Sequence, residues 1–349
     1  MAEAKKRQFF GTDGVRDIAN KGMMRPESAM RLGAAYVLFL RERGVDAPVI
    51  AVGRDTRRSG EMLQSALMAG IAASGGHAVD LGVIPTPGVS STASHNHFDG
   101  GAVISASHNP SEYNGIKFLD KDGFKLTDAD EAEIEEIFLS EDNERHTAPE
   151  MIGSVTDGSK YRSEYAERLA ELFKDITDSS YPIVVDAANG AASAFVEPLF
   201  SSWRGETYFI GNTPDGLNIN REVGVTHIET LASEVIKRGA SLGIAYDGDT
   251  DRVLLCDGKG RTLDGDIILW VVGRWLAKRG KLGAGVTATV MSNMVLEDLL
   301  AKEGIKVFRC SVGDRYVLDT MRREGGFVGG EQSGHIIALE FENTGDGLC

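Results

Sequence analysis

The sequence lacks the features that mark disulfide-rich and membrane proteins. Its three cysteines, Cys256, Cys310 and Cys349, lie far apart in no metal-ligand spacing, which argues against a disulfide framework and favours a reducing compartment. The strongest apolar run, Ile267–Val272, is too short to cross a membrane, and the basic N-terminus has no apolar leader segment. These absences predict a cytoplasmic protein that does not bind membranes.

Positive charge is also scarce. The 37 Lys and Arg residues face 52 Asp and Glu residues, which leaves a formal net charge of −15. This excess of negative charge opposes general attraction to nucleic acid or to anionic membranes, so no nucleic-acid partner is predicted. An anionic small substrate would need a locally basic pocket.

Short apolar runs alternate with helical patterns along the chain. Strands are predicted at Pro48–Val52 and Ala78–Ile84, with a helix over Ser59–Ser74 between them. The rhythm restarts at Tyr181–Asp186 and again after Gly258–Gly260. The pattern predicts an α/β protein made of three consecutive α/β domains with mixed sheets.

Composition suggests where these domains meet. The segment Asp128–Glu150 contains ten Asp or Glu residues and predicts a surface helix that runs into a linker. We expect domains over residues 1–154, 155–257 and 258–349, each near the usual domain size.

The first motif with chemical potential is Ser107-His108-Asn109-Pro110, which follows an apolar run. An ordinary turn, in which Ser and Asn bond the backbone, is one explanation. A hydrolase nucleophile fits poorly, because adjacent Ser and His side chains on a strand point to opposite faces and no G-x-S-x-G elbow is present here.

The second motif places Asp247, Asp249 and Asp251 at alternate positions of a glycine-containing turn. Three carboxylates so arranged offer oxygen ligands to a hard cation such as Mg²⁺, although a solvated acidic turn is the alternative. A calcium-binding EF-hand is excluded, since it requires Gly and Glu where the chain has Arg252 and Gly258.

The third motif is a glycine-flanked loop with Glu331, Ser333 and His335. Its carboxylate and hydroxyl could bond neighbouring sugar hydroxyls, although a plain polar loop is at least as compatible with the residues. Basic candidates for a phosphate pocket are Arg16, Lys117 and Arg315.

Taken in order, five stretches together resemble the α-D-phosphohexomutase superfamily over essentially the whole chain. They are F-G-T-D-G-V-R, S-A-S-H-N-P, N-G-I-K, D-G-D-T-D-R and G-E-Q-S-G-H. The stretches T-V-M-S-N-M, V-G-D-R-Y-V and N-T-G-D-G resemble the branch that acts on glucosamine phosphates. Relatives that act on mannose or glucose phosphates usually have a G-H-S type stretch where this chain has Gly313–Arg315.

The resemblance implies a role for each motif. Ser107 would carry the phosphoryl group, and it would complete a site for one Mg²⁺ with Asp247, Asp249 and Asp251. Glu331, Ser333 and Arg315 would bind the substrate. The residues around the transferring group would be Arg16, His108, Lys117, Arg252 and His335. Either Lys117 or His335 would be the general base.

The implied reaction interconverts glucosamine 6-phosphate and glucosamine 1-phosphate. The reaction would pass through a phosphate on Ser107 and through glucosamine 1,6-bisphosphate, which would serve as both intermediate and activator. The product would feed the bacterial synthesis of UDP-N-acetylglucosamine and cell-wall peptidoglycan. The partner is thus a small phosphosugar, and a homodimer is compatible with the resemblance. Alternatives are a mutase for mannose or glucose phosphates, a noncatalytic sugar-phosphate-binding module, and a haloacid-dehalogenase-like enzyme with Asp249 as nucleophile.

The resemblance also implies a fourth domain, whose R-x-S-G-T-E-P loop grips the non-transferring phosphate. No such stretch precedes Cys349. We therefore expect the C-terminal phosphate-binding domain to be missing. Without that clamp, the chain alone would bind substrate poorly and turn over slowly.

Overall fold

The computed structural model describes residues 7–11, 13–140, 147–174 and 180–349. Its strands are β1 (Val15–Ile18), β2 (Val49–Arg54), β3 (His77–Val83), β4 (Gly100–Ile104), β5 (Tyr113–Asp120), β6 (Val155–Asp157), β7 (Ile183–Asp186), β8 (Thr207–Ile210), β9 (Leu242–Tyr246), β10 (Val253–Asp257), β11 (Thr262–Leu263), β12 (Val286–Thr289), β13 (Val307–Cys310), β14 (Val328–Gly330) and β15 (Ile336–Ala338). Its helices are α1 (Pro26–Glu42), α2 (Arg58–Ala73), α3 (Thr86–His95), α4 (Asp128–Leu139), α5 (Ser159–Phe173), α6 (Val196–Phe200), α7 (Ile228–Arg238), α8 (Gly265–Lys278), α9 (Met294–Ala301) and α10 (Asp314–Glu324).

The first sheet has six strands in the order β1-β5-β4-β2-β3-β6. Strand β2 is parallel to β3 and β4, whereas β4 and β5 are antiparallel, so the sheet is mixed. Helices α1 and α2 pack closely because Gly70 has no side chain at their contact. A Cβ at this position would lie 1.9 Å from the Met30 carbonyl oxygen. The predicted strands and helix of this region are confirmed to within a few residues.

Two further mixed sheets follow along the chain. The five-stranded sheet has the order β11-β10-β9-β7-β8, with β7 parallel to β8 and β9 and with β10 antiparallel to β9. The four-stranded sheet has the order β13-β12-β14-β15, with β15 antiparallel to β14. Three mixed sheets covered by helices confirm the predicted fold class.

The contacts divide the chain into two compact units. One contains residues 1–167 and 214–219, and the other contains residues 168–213 and 220–349. The first sheet extends through β6, past the expected boundary at 154, and the second sheet ends with β11, past the expected boundary at 257. Within the part of the chain that the structure describes, no helix is long and apolar enough to span a membrane.

Helix α4 differs from the surface helix that its acidic sequence predicts. Its Glu131 and Glu135 are buried. The Glu135 carboxylate accepts hydrogen bonds from the backbone N–H groups of Gln8, Phe9 and Phe10, and Arg7 pairs with Glu131. The prediction was wrong for this face because the N-terminal segment supplies partners that local composition cannot reveal. Residues 141–146, on which the predicted linker falls, lie outside the described ranges.

Candidate active site

Ser107 lies in the loop between β4 and β5, at the end of a fully buried strand. Its backbone has a φ of +51°, a left-handed conformation that costs a non-glycine residue about 1–3 kcal/mol. The residue is buried, and its hydroxyl lies 3.4 Å from Nδ1 of His108. A strained serine that the surrounding structure maintains is typical of a functional loop rather than of an ordinary turn.

A buried ion pair is hydrogen-bonded to this loop. Arg57 and Asp55, both almost completely inaccessible, are joined by an Nε–Oδ2 contact of 2.9 Å. The Asp55 carboxylate also accepts a 2.6 Å hydrogen bond from Ser105 Oγ, which in turn accepts one of 2.9 Å from the Ser107 N–H. Asp55 and Arg57 directly follow β2, whereas Ser105 directly follows β4.

The basic candidates of this unit meet at one carboxylate. Arg16 on β1 forms an ion pair with Asp13, and Lys117 on β5 places Nζ 3.6 Å from the same side chain. Lys125 Nζ lies 2.5 Å from the other Asp13 oxygen. Because β1 and β5 are antiparallel neighbours, the fold brings Arg16 and Lys117 close together.

The three predicted metal ligands follow the carboxyl end of β9. Asp247, Asp249 and Asp251 are buried, and their ligand oxygens lie within 4.8 Å of one another. Thr250 between them has a φ of +65°, and its N–H donates to the Asp247 carbonyl oxygen over 3.1 Å, so the turn directs alternate side chains to one place. The carboxyl ends of parallel strands are where α/β sheets commonly bind ligands.

This cluster suits a hard divalent cation. Three buried carboxylates at such short range repel one another strongly unless positive charge lies nearby. The Arg252 guanidinium lies nearby, with its Nε 3.9 Å from Asp251. Oxygen-only ligands with a net negative charge match the preference of Mg²⁺. The residues therefore fit the cation that the resemblance implies.

His335 stands between two carboxylates of the same unit. Its Nδ1 lies 3.7 Å from Asp251, and its Nε2 lies 3.8 Å from Asp314. A Cβ on Gly345 would lie 2.6 Å from the imidazole, so the glycine of the N-T-G-D-G stretch makes room for this ring. The second and third motifs therefore meet in space at Asp251 and His335.

The predicted sugar-binding loop lines a cavity of about 300 Å³, together with residues of the T-V-M-S-N-M and V-G-D-R-Y-V stretches. The Glu331 carboxylate accepts a 2.9 Å hydrogen bond from the Gly313 N–H, which orients it. Arg315 lies half-buried in the first turn of α10, two residues after Gly313. The lining residues are Thr289, Met291, Val312, Glu331, Gln332 and Ser333.

Three supporting residues were missed by the sequence argument. Arg57, Asp13 and Asp314 each contact a predicted site residue or its loop. The only sequence signal for the first is that G-R-D-T-R ends a predicted strand, where α/β proteins place functional side chains.

Comparison with known families agrees with this geometry. Three family models match in succession: phosphoglucomutase/phosphomannomutase alpha/beta/alpha domain I at residues 7–145, domain II at residues 163–260 and domain III at residues 264–349. Phosphoglucosamine mutase of Lactobacillus johnsonii is 44% identical over 345 residues, which are 98% of this chain and 76% of that protein.

Solved structures share the same architecture. A phosphoglucomutase/phosphomannomutase family protein from Burkholderia thailandensis has a TM-score of 0.86 at 25% identity, covering 97% of this chain and 74% of its own. Aspergillus fumigatus N-acetylphosphoglucosamine mutase, solved in complex with GlcNAc-6P and magnesium, has a TM-score of 0.63 at 18% identity and shares the fold, covering 96% of this chain and 68% of its own. From its family matches and its identity to the Lactobacillus enzyme, the chain belongs to the phosphoglucosamine mutases of the phosphohexomutase superfamily.

Proposed function

We propose that this chain interconverts glucosamine 6-phosphate and glucosamine 1-phosphate through a phosphorylated Ser107. The observation that carries the proposal is the left-handed, buried Ser107, in a protein whose 44% identical relative is a phosphoglucosamine mutase. Phosphoryl transfer depends on positioning and charge neutralisation more than on covalent chemistry, and the residue types of the candidate site are suited to both.

In the proposed reaction, phosphoserine 107 donates its phosphoryl group to the free hydroxyl of the bound sugar phosphate. The Oγ–P bond breaks as the new sugar O–P bond forms, and the hydroxyl proton passes to Lys117 or His335. Ser107 Oγ, which leaves in this step, takes up a proton. The resulting glucosamine 1,6-bisphosphate reorients, and its other sugar O–P bond breaks as the Ser107 Oγ–P bond forms again; the Ser107 hydroxyl gives up its proton, and the base returns its own to the released sugar oxygen. The phosphate count is unchanged over the cycle.

We propose that Asp247, Asp249 and Asp251 hold one Mg²⁺, with the phosphate on Ser107 as a further ligand. When bound, the cation neutralises charge on the phosphoryl oxygens. Arg16 and Lys117, oriented by Asp13, would contact the anionic phosphate from the protein side. Arg252 and His108 would border the same group.

The two candidate bases differ in their surroundings. Lys117 is buried beside the Asp13 carboxylate, whereas His335 lies between Asp251 and Asp314. A general base accepts a proton only in its neutral form. We propose that one of these two residues is the base. The rate should then rise with pH as the base loses its proton, and this rise should disappear in only one of the variants Lys117→Met and His335→Asn.

We assign Glu331 and Ser333 to the sugar hydroxyls and Arg315 to the substrate phosphate. The lining of the cavity by both loop residues supports the first assignment. The cavity residues Thr289, Met291 and Val312 would then form the wall against the sugar ring.

We also propose three functional domains at residues 1–154, 155–257 and 258–349. They carry the phosphoserine loop, the metal ligands and the sugar loop, in that order.

Sugar selectivity tests this function most simply. The 6-phosphates of glucosamine, glucose and mannose would be supplied separately with Mg²⁺ and a trace of the matching 1,6-bisphosphate, and 1-phosphate formation followed by ³¹P NMR. We expect the highest kcat/KM with the glucosamine substrate. A preference for glucose or mannose phosphate would assign the chain to another mutase activity. The Ser107→Ala variant is the negative control and should form no 1-phosphate.

A further inference from the structure

The loop that carries Ser107 is tied to the end of β2 through a single guanidinium group. Arg57 Nη2 donates to the carbonyl oxygens of Ser107, at 2.9 Å, and Asn109, at 2.8 Å. Its Nη1 donates to the carbonyl oxygens of Tyr113, at 3.0 Å, and of Pro110. One side chain therefore binds four carbonyl groups over a seven-residue stretch of the loop.

This arrangement uses the full donor capacity of the side chain. A guanidinium has five N–H donors, and Arg57 directs the fifth, on Nε, to Asp55 Oδ2. Because every donor has a protein acceptor, Arg57 has none left for a phosphate. Its role differs in this respect from that of the arginines proposed to contact the phosphoryl group.

The same network also holds the other side of the Ser107 peptide. Asp55 accepts from Ser105 Oγ, and Ser105 Oγ accepts from the Ser107 N–H, while Arg57 binds the Ser107 carbonyl oxygen. Both backbone polar groups of the strained residue are thus held by one buried chain of contacts. An unsupported left-handed serine would relax to another conformation and carry its hydroxyl away.

We propose that Asp55, Arg57 and Ser105 are positioning residues for phosphoryl transfer, which act by locking Ser107 in its left-handed conformation. The inference rests on the proposed role of Ser107 as carrier. It goes beyond that role by assigning the geometry of the carrier to three residues whose side chains bond one another and the backbone of the loop. Substitution of any of them is expected to slow the transfer step and leave ligand affinity unchanged.

The test compares Ser105→Ala and Arg57→Lys with wild-type protein. Phosphoryl uptake at Ser107 from glucose 1,6-bisphosphate in Mg²⁺ would be followed by intact mass over a range of bisphosphate concentrations. We expect the saturated rate to fall about tenfold for Ser105→Ala and about a hundredfold for Arg57→Lys, since small misplacements of reacting groups have effects of this size. The bisphosphate concentration that gives half of the saturated rate should stay the same. A general loss of folding would not produce a lower saturated rate together with an unchanged half-saturating concentration.

Two substitutions serve as matched controls. Arg54→Lys changes an arginine at the same strand end whose Nε donates to Gln64. Ser90→Ala removes a buried hydroxyl that donates to the Gly123 carbonyl oxygen. Both are expected to take up phosphate at the wild-type rate.

Hydrogen exchange provides a second measurement, which does not depend on phosphoryl transfer. Peptides covering residues 103–113 should exchange faster in Ser105→Ala and Arg57→Lys, while the rest of the first sheet stays protected. If wild-type Ser107 takes up no phosphate, the proposed function fails, and this exchange measurement still decides the inference. Wild-type uptake rates together with unchanged exchange in both variants would overturn it.

Discussion

Asp13 is a carboxylate that three cations of the first compact unit share. Arg16, Lys117 and Lys125 all contact its carboxylate, and Lys117 is almost completely buried. A carboxylate shared by three cations both offsets their mutual repulsion and restricts where their side chains lie. Its importance follows from convergence in space, because the partners lie on separate strands and loops.

We expect Asp13→Asn to lower the rate of phosphoryl uptake at Ser107 by tenfold or more, because Arg16 and Lys117 lose the group that orients them. The measurement is the same mass-based rate, at saturating glucose 1,6-bisphosphate. Asp122→Asn is the control, since its carboxylate is exposed and lies 3.9 Å from Lys121 at the surface. An unchanged rate in Asp13→Asn would show that the cations are positioned without it.

The sequence predicts candidates for the chemistry but not the residues that hold those candidates in place. The three aspartates and Ser107 occur in short motifs, and a motif contains its own spacing. Arg57, by contrast, acts through carbonyl groups about fifty residues further along the chain. Such contacts exist only after β2 and β4 pair, so no local pattern predicts them.

Among the elements, α4 gives a comparable case. Its capping box at Thr127 and Asp130 matches its acidic start, yet one face is buried against the N-terminal segment. Burial raises the pKa of Glu131 to about 7, an effect that the attraction of Arg7 only partly offsets. The strands were easier to predict, because apolar runs such as β4 reflect burial directly.

The raised pKa of Glu131 predicts a pH-dependent stability. The folded protein holds the proton more tightly than the unfolded chain, whose glutamate pKa is about 4.5, so this contribution is fully present below pH 4.5 and lost as the pH rises through about 7. Glu131→Gln mimics the protonated group. The free energy of unfolding of this variant relative to wild type should therefore rise between pH 5 and pH 8, by on the order of 1–3 kcal/mol.

Urea unfolding at both pH values measures this difference, and other titrating groups cancel in the comparison with wild type. Glu136→Gln is the matched control, because it changes an exposed glutamate of the same helix. The control should show the same pH dependence as wild type. If Glu131→Gln does so too, the buried carboxyl group does not titrate in this range.

At the scale of the whole molecule, the protein carries an excess of negative charge, whereas its proposed substrate is an anion. A net charge of −15 does not attract an anionic sugar phosphate, so the proposed binding would depend on local cations such as Arg16 and Lys117. Ser107 belongs to one compact unit and the three aspartates belong to the other. The order of the motifs along the chain places them in successive α/β segments, whereas the limits of the sheets depend on strand pairing and cannot be predicted from that order.

The most direct measurement of this account is the site and stability of the phosphate that the protein acquires from glucose 1,6-bisphosphate in Mg²⁺. We expect one phosphoryl group, located on Ser107 by peptide mass spectrometry and stable to hydroxylamine. Asp249→Asn should impair its uptake, and Asp257→Asn, a control on β10 that pairs with Arg261, should not. A phosphate that hydroxylamine removes, as from an acyl phosphate on Asp249, or one that still forms in Ser107→Ala, would contradict the account.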